Sequence, residues 1–314
     1  MKFIENFHEN DNIRDVYFVK QKTSAVTRAG KPYDNVILQD KTGTIEGKIW
    51  DPNSAGIEEF EAMDYVEISG SVKEFNSALQ ISIARVRRAR EGEYEESDYL
   101  PVSKNSLEDM YLELLRYIDG LENSYLKQLC RAFFVEDEEF VTRFKKSSAA
   151  KSIHHGFIGG LLEHTLGVTR LCEQYARLYP ILKKDLLITV AMLHDIGKTK
   201  EISLFPLNDY TDDGQLLGHI VMGTEMISEK IREIPGFPEK LASEVKHCIL
   251  AHHGEYEYGS PKKPAIIEAL ALNFADNTDA KLEAISEQLS SSTGSGWLGF
   301  NRLIDSNLRK TSDI

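Results

Sequence analysis

The chain has 314 residues, of which 41% are hydrophobic, and it carries a formal net charge of −13. This length suggests about two domains with cores of their own, and no stretch approaches the roughly 20 apolar residues of a membrane-spanning helix. The three cysteines, Cys130, Cys172 and Cys248, are widely spaced and odd in number, which argues against a disulfide framework and for a soluble protein of the reducing cytoplasm.

The negative charge is concentrated in the longer, C-terminal part of the chain. Residues 1–90 carry 13 basic and 14 acidic side chains, whereas the remaining 224 residues carry 24 basic and 36 acidic ones. An acidic surface weakens non-specific binding to phosphate backbones. Any contact with nucleic acid is therefore expected to be local and to depend on a few basic residues or on metal ions.

The first 90 residues show the pattern of a small β-barrel. Two β-rich runs meet at a hairpin signal over 40–43, and the runs 65–72 and 79–86 alternate with period two, with a turn expected around Asn76. Five or so short strands in about 80 residues predict an OB-like barrel. The strings LQDKTGTIEGKIWD, VEISGSV and LQISIARVR resemble the nucleic-acid-binding OB family of the tRNA-anticodon type. The alternative is a barrel that serves only oligomerisation or substrate gating.

Basic and aromatic residues of this barrel are candidates for contacting a nucleic acid. Arg85 and Arg87 lie on one face of the last predicted strand, where they suit phosphates or stacked bases. The candidate stacking rings are Phe18, Tyr33, Trp50 and Phe75. Each of these rings could also belong to the barrel core, so the sequence predicts a binding face rather than a particular ring.

The periodicity becomes helical beyond an acidic linker over 91–105 and stays so through 106–314. Ser106 followed by Asp109 has the pattern of an N-cap that opens the first helix. Further helices are expected near 124–134, 137–146, 159–179, 184–196, 218–232, 239–253 and 264–289. A loop is expected over 290–296, and the last dozen residues are expected to fray. The predicted architecture is multidomain, with an N-terminal OB-like barrel over 1–90 and an all-α helical bundle behind it.

Several histidines and aspartates lie on the buried faces of the predicted helices. His194 shares a face with Leu187 and Val190, and Asp276 shares one with Leu272. An unpaired buried carboxylate is costly, so imidazoles and carboxylates that converge from separate helices indicate a divalent metal site. The predicted ligands are His164, His194, Asp195, His219, His252, His253 and Asp276. Spacing alone does not decide whether His252, His253 or both bind metal.

A ligand set of this size can hold two ions, with Asp195 between them. Mixed imidazole and carboxylate ligands suit Mn²⁺, Co²⁺, Fe²⁺ or Zn²⁺, whereas Mg²⁺ avoids imidazole-rich sites. Two such ions activate water for attack on a phosphate ester. Asp195 is therefore a predicted catalytic residue. Lys198 is predicted to hold a non-bridging phosphate oxygen, although a lysine at a helix C-terminus is also favoured by the helix dipole.

A second candidate site lies in the segment SIHHGFIGGLLEH, residues 152–164. Two histidines precede a glycine-flanked turn and a helix N-terminus, where free backbone N–H groups bind anions. The alternative is a plain loop-to-helix transition with two exposed histidines. The predicted substrate-binding residues are His154, His155, Gly159, Gly160, Lys198, Arg85 and Arg87.

The order His…His-Asp…His…His…Asp resembles the HD superfamily of metal-dependent phosphohydrolases, and it implies an HD domain over about 159–289. The strings HHGFIGGLLEHTLGV and MLHDIGKTKE, behind an OB-like domain, resemble the YhaM family of 3′→5′ exoribonucleases over nearly the whole chain. This resemblance implies metal-dependent removal of nucleotides from the 3′ end of single-stranded RNA, with single-stranded DNA as a further substrate. It also implies Mn²⁺ or Co²⁺ as activator and a homo-oligomeric assembly.

Two other functions compete with this interpretation. One is an HD nucleotidase or cyclic-dinucleotide phosphodiesterase, but the loop at 254–261 lacks the Gly-Tyr-Pro signature of the latter, and a small-nucleotide enzyme has no evident need of an OB domain. The other is a single-strand-binding or replication-associated factor without activity. A complete set of buried acids argues against that factor because such residues are costly to keep.

Overall fold

The computed structural model describes residues 1–27, 30–75, 78–151, 155–292 and 296–312. Its contacts divide the chain into two compact units, Met1–Pro101 and Val102–Ile314. His154 and the turn predicted around Asn76 fall outside the described residues.

The first unit is a closed β-barrel. Its strands are β1 (Asn12–Val26), β2 (Pro32–Asp40), β3 (Gly43–Ile49), β4 (Tyr65–Phe75) and β5 (Ala78–Arg88), joined in the order β1-β2-β3-β5-β4. The long strand β1 closes the barrel because its first half pairs with β4 and its second half with β2, with a bulge after Val19. β3 and β5 pair in parallel. The predicted OB-like barrel is confirmed.

Alternation along the strands fills the barrel core. In β2, Val36 and Leu38 are buried while the intervening residues are partly exposed. The hairpin predicted over 40–43 is confirmed by the pairing of Asp40 with Gly43. The buried Asp40 carboxylate accepts hydrogen bonds from the backbone N–H groups of Thr42 and Gly43, which explains why an aspartate opens this turn.

The acidic stretch behind the barrel packs against it, although the sequence predicts a linker there. Tyr94 stacks on Tyr65 with ring centroids 3.9 Å apart, and Tyr99 is only 3% exposed. The first unit therefore extends to Pro101, beyond the boundary predicted at residue 90. The reason is that tyrosines within the charged run supply apolar surface for the barrel to cover.

The second unit is mainly helical. Its helices are α1 (Leu107–Asp119), α2 (Ser124–Phe134), α3 (Glu138–Lys146), α4 (Gly160–Leu178), α5 (Lys184–Leu193), α6 (Lys198–Glu201), α7 (Asp212–Glu233), α8 (Glu239–Ala251) and α9 (Ile267–Ser291). The predicted N-cap is confirmed, because the Ser106 side chain accepts a hydrogen bond from the Asp109 backbone N–H. Helix α5 lies at the centre, with all of residues 186–193 buried.

The helix ends differ from the predicted ones where the candidate metal ligands lie. α5 ends at Leu193 and α8 at Ala251, so His194 and His252 directly follow their helices instead of lying within them. α7 begins at Asp212 and is interrupted at Gly218, whose φ is +75°. Its second half therefore starts at His219.

A β-hairpin ends the second unit and corrects the prediction of an all-α region with a frayed end. β6 (Trp297–Asn301) pairs antiparallel with β7 (Ser306–Arg309). Aromatic side chains at Trp297 and Phe300, followed by a turn and by the buried Leu308, favour this pairing. The short strand pattern was not recognised because the residues before it have helical periodicity.

No helix of the described residues is long and apolar enough to cross a membrane.

Candidate metal centre

The predicted ligands meet in the second unit because separate helices bring them to one buried place. α4 contributes His164, the turn after α5 contributes His194 and Asp195, and α9 contributes Asp276. The second half of α7 and the residues after α8 supply the remaining histidines, His219, His252 and His253.

Three of these residues form a first cluster of donor atoms, which we call cluster 1. The His164 Nε2 lies 3.2 Å from the His194 Nε2 and 3.3 Å from the Asp276 Oδ1. The Asp195 Oδ2 is 3.5 Å from the His164 Nε2 and 3.4 Å from the His194 Nε2. His164, His194 and Asp276 together have the spacing that could hold a metal ion.

His219, His252 and His253 form a second such group, which we call cluster 2. The Asp195 Oδ1 lies 3.4 Å from the His219 Nε2 and 3.6 Å from the His252 Nε2. Asp195 therefore turns one carboxylate oxygen towards each cluster.

Every histidine of the two clusters has its Nδ1 occupied by a hydrogen-bond acceptor. His194, His252 and His253 direct Nδ1 to the carbonyl oxygens of Ala191, Ile249 and Tyr258 at 2.7–2.9 Å. His164 directs Nδ1 to Asp279 at 2.7 Å, and His219 directs it to Glu201 at 3.0 Å. An acceptor at Nδ1 favours the tautomer that carries its proton there, in which Nε2 can offer its lone pair to a metal ion.

The buried atoms left without partners show that a cation fits here. The Asp195 Oδ1, the His219 Nε2 and the His252 Nε2 are buried and have no hydrogen-bond partner among the described residues. Buried polar atoms rarely lack partners, and these three are acceptors that face one another. A divalent cation satisfies all three at once, and the nitrogen and oxygen donors suit a transition metal.

The titration behaviour of the aspartates shows the same demand for positive charge. Burial by itself would raise the pKa of Asp195, but Lys198, His194 and His164 hold it well below its ordinary value. The pKa of Asp276 is also lowered, against burial, chiefly by His164 and His194. Burial and the neighbouring His194 lower the pKa of His252, so its ring stays neutral and able to bind metal.

Lys198 lies inside the site as well. Its Nζ is 2.7 Å from the Asp195 Oδ2 and its side chain is 15% exposed. Burial opposes the charge, yet Asp195 raises the pKa of Lys198, so the amine remains an ammonium ion. The lysine begins the four-residue helix α6, which turns it back over Asp195.

Two backbone N–H groups of the anion cradle predicted before α4 are already engaged within the chain. The N–H groups of Gly160 and Leu161 already donate to the carbonyls of Phe157 and Ser147. Gly159 and Gly160 are buried, and a Cβ at Gly160 would lie 1.9 Å from the His155 carbonyl oxygen. The lack of side chains at these glycines therefore makes room for other parts of the same chain.

His155 is also buried, at 4% exposure, and its Nε2 lies 3.1 Å from the Asp279 Oδ2. The structure thus places it behind His164, on the side away from the cluster 1 donor atoms, and not at a substrate-accessible surface. His154 lies outside the described residues.

Two carboxylates of the site were missed by the sequence reasoning. Asp279 follows Asp276 by three residues and so continues its helix face, which is a usable signal. Glu201 accepts hydrogen bonds from both the backbone N–H and the Nδ1 of His219. No periodicity indicates this, because α6 is only four residues long.

The barrel residues predicted to contact nucleic acid separate into different environments. Phe18 is 1% exposed and belongs to the core, whereas Trp50 and Phe75 are 54% and 64% exposed. Tyr33 stacks on Trp50 with centroids 5.5 Å apart. Arg85 is exposed, but Arg87 is bound by Glu67 at 2.5 Å and Glu93 at 2.8 Å.

The barrel, the helical unit and the two clusters define an HD-domain protein with an N-terminal OB-like barrel. The HD domain family matches residues 161–281. A curated relative, the 3′-5′ exoribonuclease YhaM of Geobacillus sp. (strain WCH70), is 35% identical over 277 residues, which cover 88% of this chain and 84% of that protein. The chain belongs to the YhaM 3′-5′ exoribonuclease family.

Two solved structures resemble parts of the chain. The second OB-fold domain of replication protein A from Methanococcus maripaludis has 25% identity and a TM-score of 0.24, and covers 30% of this chain and 98% of its own. The HD domain of the phosphodiesterase PgpH from L. monocytogenes has 18% identity and a TM-score of 0.29, and covers 50% of this chain and 76% of its own.

Proposed function

We propose that this protein is a metal-dependent 3′→5′ exoribonuclease that removes nucleotides from single-stranded RNA, with single-stranded DNA as a further substrate. The observation that carries the proposal is the convergence of four imidazole Nε2 atoms, those of His164, His194, His219 and His252, on the two oxygens of Asp195. Asp276 joins them in cluster 1 and His253 in cluster 2. The relative named a 3′-5′ exoribonuclease, which aligns over most of both chains, supports the substrate class.

Two divalent ions per site are part of the proposal. Asp195 faces cluster 1 with Oδ2 and cluster 2 with Oδ1. With the imidazoles neutral as metal ligands, Asp195, Asp276, Asp279 and Glu201 carry four negative charges, of which the Lys198 ammonium offsets one. One divalent ion would leave the site negative and repel a phosphodiester, whereas two would leave it positive. Mn²⁺ or Co²⁺ is the metal proposed for both positions, and Fe²⁺ or Zn²⁺ also suits these donors.

The residues of the chain have distinct proposed roles in hydrolysis. The ions, when bound, lower the pKa of a water and neutralise charge on the phosphate. Asp195, Asp276 and the five imidazoles would hold the ions in place. The Lys198 ammonium has N–H groups beyond the one directed to Asp195 and is proposed to donate to a non-bridging phosphate oxygen. Its burial strengthens that interaction because water does not compete for the ammonium.

The barrel is proposed to bind the single strand through Trp50 and Tyr33. Their stacked rings offer an aromatic surface, and the Lys48 Nζ lies 5.5 Å from the Tyr33 ring. Arg85 is proposed to contact phosphate, since no carboxylate of the described residues pairs with it. Arg87, already neutralised by Glu67 and Glu93, is expected to contribute little.

Self-association is also proposed, through exposed apolar side chains of α9 such as Leu270, Phe274 and Leu282. Analytical ultracentrifugation at several protein concentrations tests it. A species that sediments as a monomer at every concentration contradicts it.

The decisive experiment uses 5′-labelled single-stranded RNA, Mn²⁺ and the full-length protein, with the products resolved on a gel. A ladder that shortens from the 3′ end is expected, and chelator should abolish it. Asp195→Asn should lower the rate by more than about 100-fold, because loss of a residue that only orients a metal ligand already costs up to about 100-fold. The circular dichroism spectrum should not change. Asp209→Asn, at a side chain that is 42% exposed and pairs with Lys151, serves as the control.

Other outcomes would identify the competing functions. An RNA band that is shifted but uncut indicates a single-strand-binding factor. Release of phosphate from mononucleotides, with intact RNA, indicates a nucleotidase. Either result contradicts the exoribonuclease.

A further inference from the structure

One carboxylate behind cluster 1 joins two buried histidines. The Asp279 Oδ2 lies 2.7 Å from the His164 Nδ1 and 3.1 Å from the His155 Nε2. His164 and His155 are 2% and 4% exposed, and the Asp279 side chain is 17% exposed. The three side chains therefore form a row, His155–Asp279–His164, which ends at the imidazole whose Nε2 faces Asp195 and Asp276.

A glycine in α4 makes room for this carboxylate. Gly167 lies three residues after His164, and a Cβ there would come within 2.0 Å of the Asp279 Oδ1. Glycine in the interior of a helix is less favourable than alanine. Its presence in the middle of α4 is explained by the space that Asp279 needs to reach His164.

The backbone of His155, at the other end of the row, is also closely packed. His155 has φ +56°, a left-handed conformation that is uncommon for residues other than glycine. Its carbonyl oxygen accepts a hydrogen bond from the Ala149 N–H and rests against Gly160, where a Cβ would lie 1.9 Å away. The backbone of the loop thus fixes the imidazole that braces Asp279 from behind.

We propose that Asp279, braced by His155, is a positioning residue that keeps the proton of His164 on Nδ1 and aims its Nε2 at the ion of cluster 1. The inference rests on the proposed metal-dependent function. A carboxylate acceptor on the far nitrogen sets the tautomer and the orientation of a metal-binding imidazole and increases its basicity. The N···O distance of 2.7 Å is that of a charge-assisted hydrogen bond.

Cluster 2 contains a matching arrangement that provides the internal comparison. The Glu201 Oε1 lies 3.0 Å from the His219 Nδ1. Each cluster therefore has one imidazole that is oriented by a carboxylate. If the inference holds, removal of Asp279 and removal of Glu201 impair different ions of the same protein.

A third ion between His155, His164 and Asp279 is the competing explanation, because these three residues also have metal-binding spacing. To bind such an ion, the His164 Nδ1 would have to lose its proton while the His164 Nε2 binds another ion. The separations of 2.7 and 3.1 Å are ordinary N–H···O distances, which favours the hydrogen-bonded row.

The experiment measures binding of Co²⁺ to the full-length protein by titration calorimetry and by the visible absorption of the bound ions. Wild-type protein is expected to bind two ions. Asp279→Asn should weaken one of them about 10–100-fold and change its absorption band, while the other ion keeps its affinity. Glu201→Gln should weaken the other ion by a similar factor. Glu173→Gln, on α4 but paired with Arg177 at 3.1 Å, should change neither.

Gly167→Ala provides a second route that leaves every ionisable group in place. The added methyl group should push Asp279 away from His164 and reproduce the absorption change of Asp279→Asn, even though α4 itself gains a better helix former. Thermal unfolding checks that each variant is folded.

Several results would overturn the inference. If Asp279→Asn or Gly167→Ala binds both ions with wild-type affinity and an unchanged spectrum, Asp279 does not position His164. Three ions in the wild type and two in Asp279→Asn would assign Asp279 as a direct ligand instead. A wild-type protein that binds no ion would remove the proposed function itself, and the inference with it.

Discussion

Asp195 is buried to 2% exposure and must remain ionised there. An isolated charge at such a place would be very unfavourable, and Lys198 compensates part of it at 2.7 Å. The same ammonium also repels a metal ion that approaches Asp195. Lys198 is thus expected to have opposite effects on ion binding and on turnover.

Lys198→Met separates these two effects. Loss of the ammonium leaves the carboxylates more negative, so the affinity for Mn²⁺ should stay the same or increase. Turnover should fall by roughly 10²–10³-fold, the loss seen when one preorganised donor to a developing anion is removed. Single-turnover RNA cleavage and Mn²⁺ titration measure the two quantities. Lys200→Met, at an exposed position on the same short helix, is the control, and an unchanged rate in Lys198→Met would leave the lysine as a counter-ion only.

At the scale of elements, the interruption of α7 decides where His219 can be. Gly218 has φ +75° and ψ 155°, and the helix restarts at His219. The His219 backbone N–H donates a hydrogen bond to the Glu201 carboxylate. A side chain at residue 218 disfavours this conformation, so the glycine allows a helix N-terminus to form beside the metal centre.

Gly218→Ala should therefore lower both stability and ion affinity. A positive φ with ψ near 155° is essentially confined to glycine and costs a residue with a Cβ about 1–3 kcal/mol, and relaxation of the strain would move His219. Gly236→Ala is the matched control, because Gly236 has φ +73° but lies between α7 and α8. Urea unfolding should show similar losses for both variants, whereas Mn²⁺ titration should show a loss for Gly218→Ala alone. Equal Mn²⁺ affinity in the two variants contradicts the role assigned to the interruption.

The outer face of the barrel provides a second test at this scale. Trp50→Ala should weaken single-stranded RNA binding by about 1–3 kcal/mol, the usual contribution of one stacked base. Arg85→Gln should weaken it further and reduce its salt dependence, whereas Arg87→Gln should have little effect because Glu67 and Glu93 neutralise Arg87. Fluorescence anisotropy with labelled RNA at several salt concentrations measures these changes. Equal losses for the two arginine variants would show that the ion pairs open on binding.

For the whole molecule, the division into two units suggests that binding of the strand and hydrolysis are separable. A chain that starts at Val102 should still cleave a dinucleotide, but its apparent affinity for long RNA should fall by roughly 100-fold or more, since two linked binding sites reinforce each other. Removal of residues 1–90 alone would expose Tyr94 and Tyr99, which pack within the first unit. Competition between short and long RNA measures the effect. Unchanged processing of long RNA would exclude the barrel as a binding domain.

Much of the architecture could be predicted because it depends on local periodicity. The alternation in β2 and the capping pair Ser106 and Asp109 each act within a few residues of the chain. The same holds for His164 and Asp276, which share faces with apolar neighbours. Their burial follows from amphipathic periodicity alone.

What the sequence could not predict depends on distant parts of the chain. Asp279 meets His164 across 115 positions, and Glu67 neutralises Arg87 because the two residues lie opposite each other on the paired strands β4 and β5. Single-residue patterns contain no information on such pairings. His155 illustrates the consequence, since an apparently accessible loop histidine is buried behind the metal centre.

His194 and His252 are aimed by the ends of their own helices. Each ring donates to the carbonyl oxygen three residues earlier, Ala191 or Ile249. The last turn of any helix leaves such carbonyls without an intrahelical partner. Extending α5 or α8 by a single turn would engage these oxygens and let both rings rotate, so the length of each helix is itself a determinant of ion affinity.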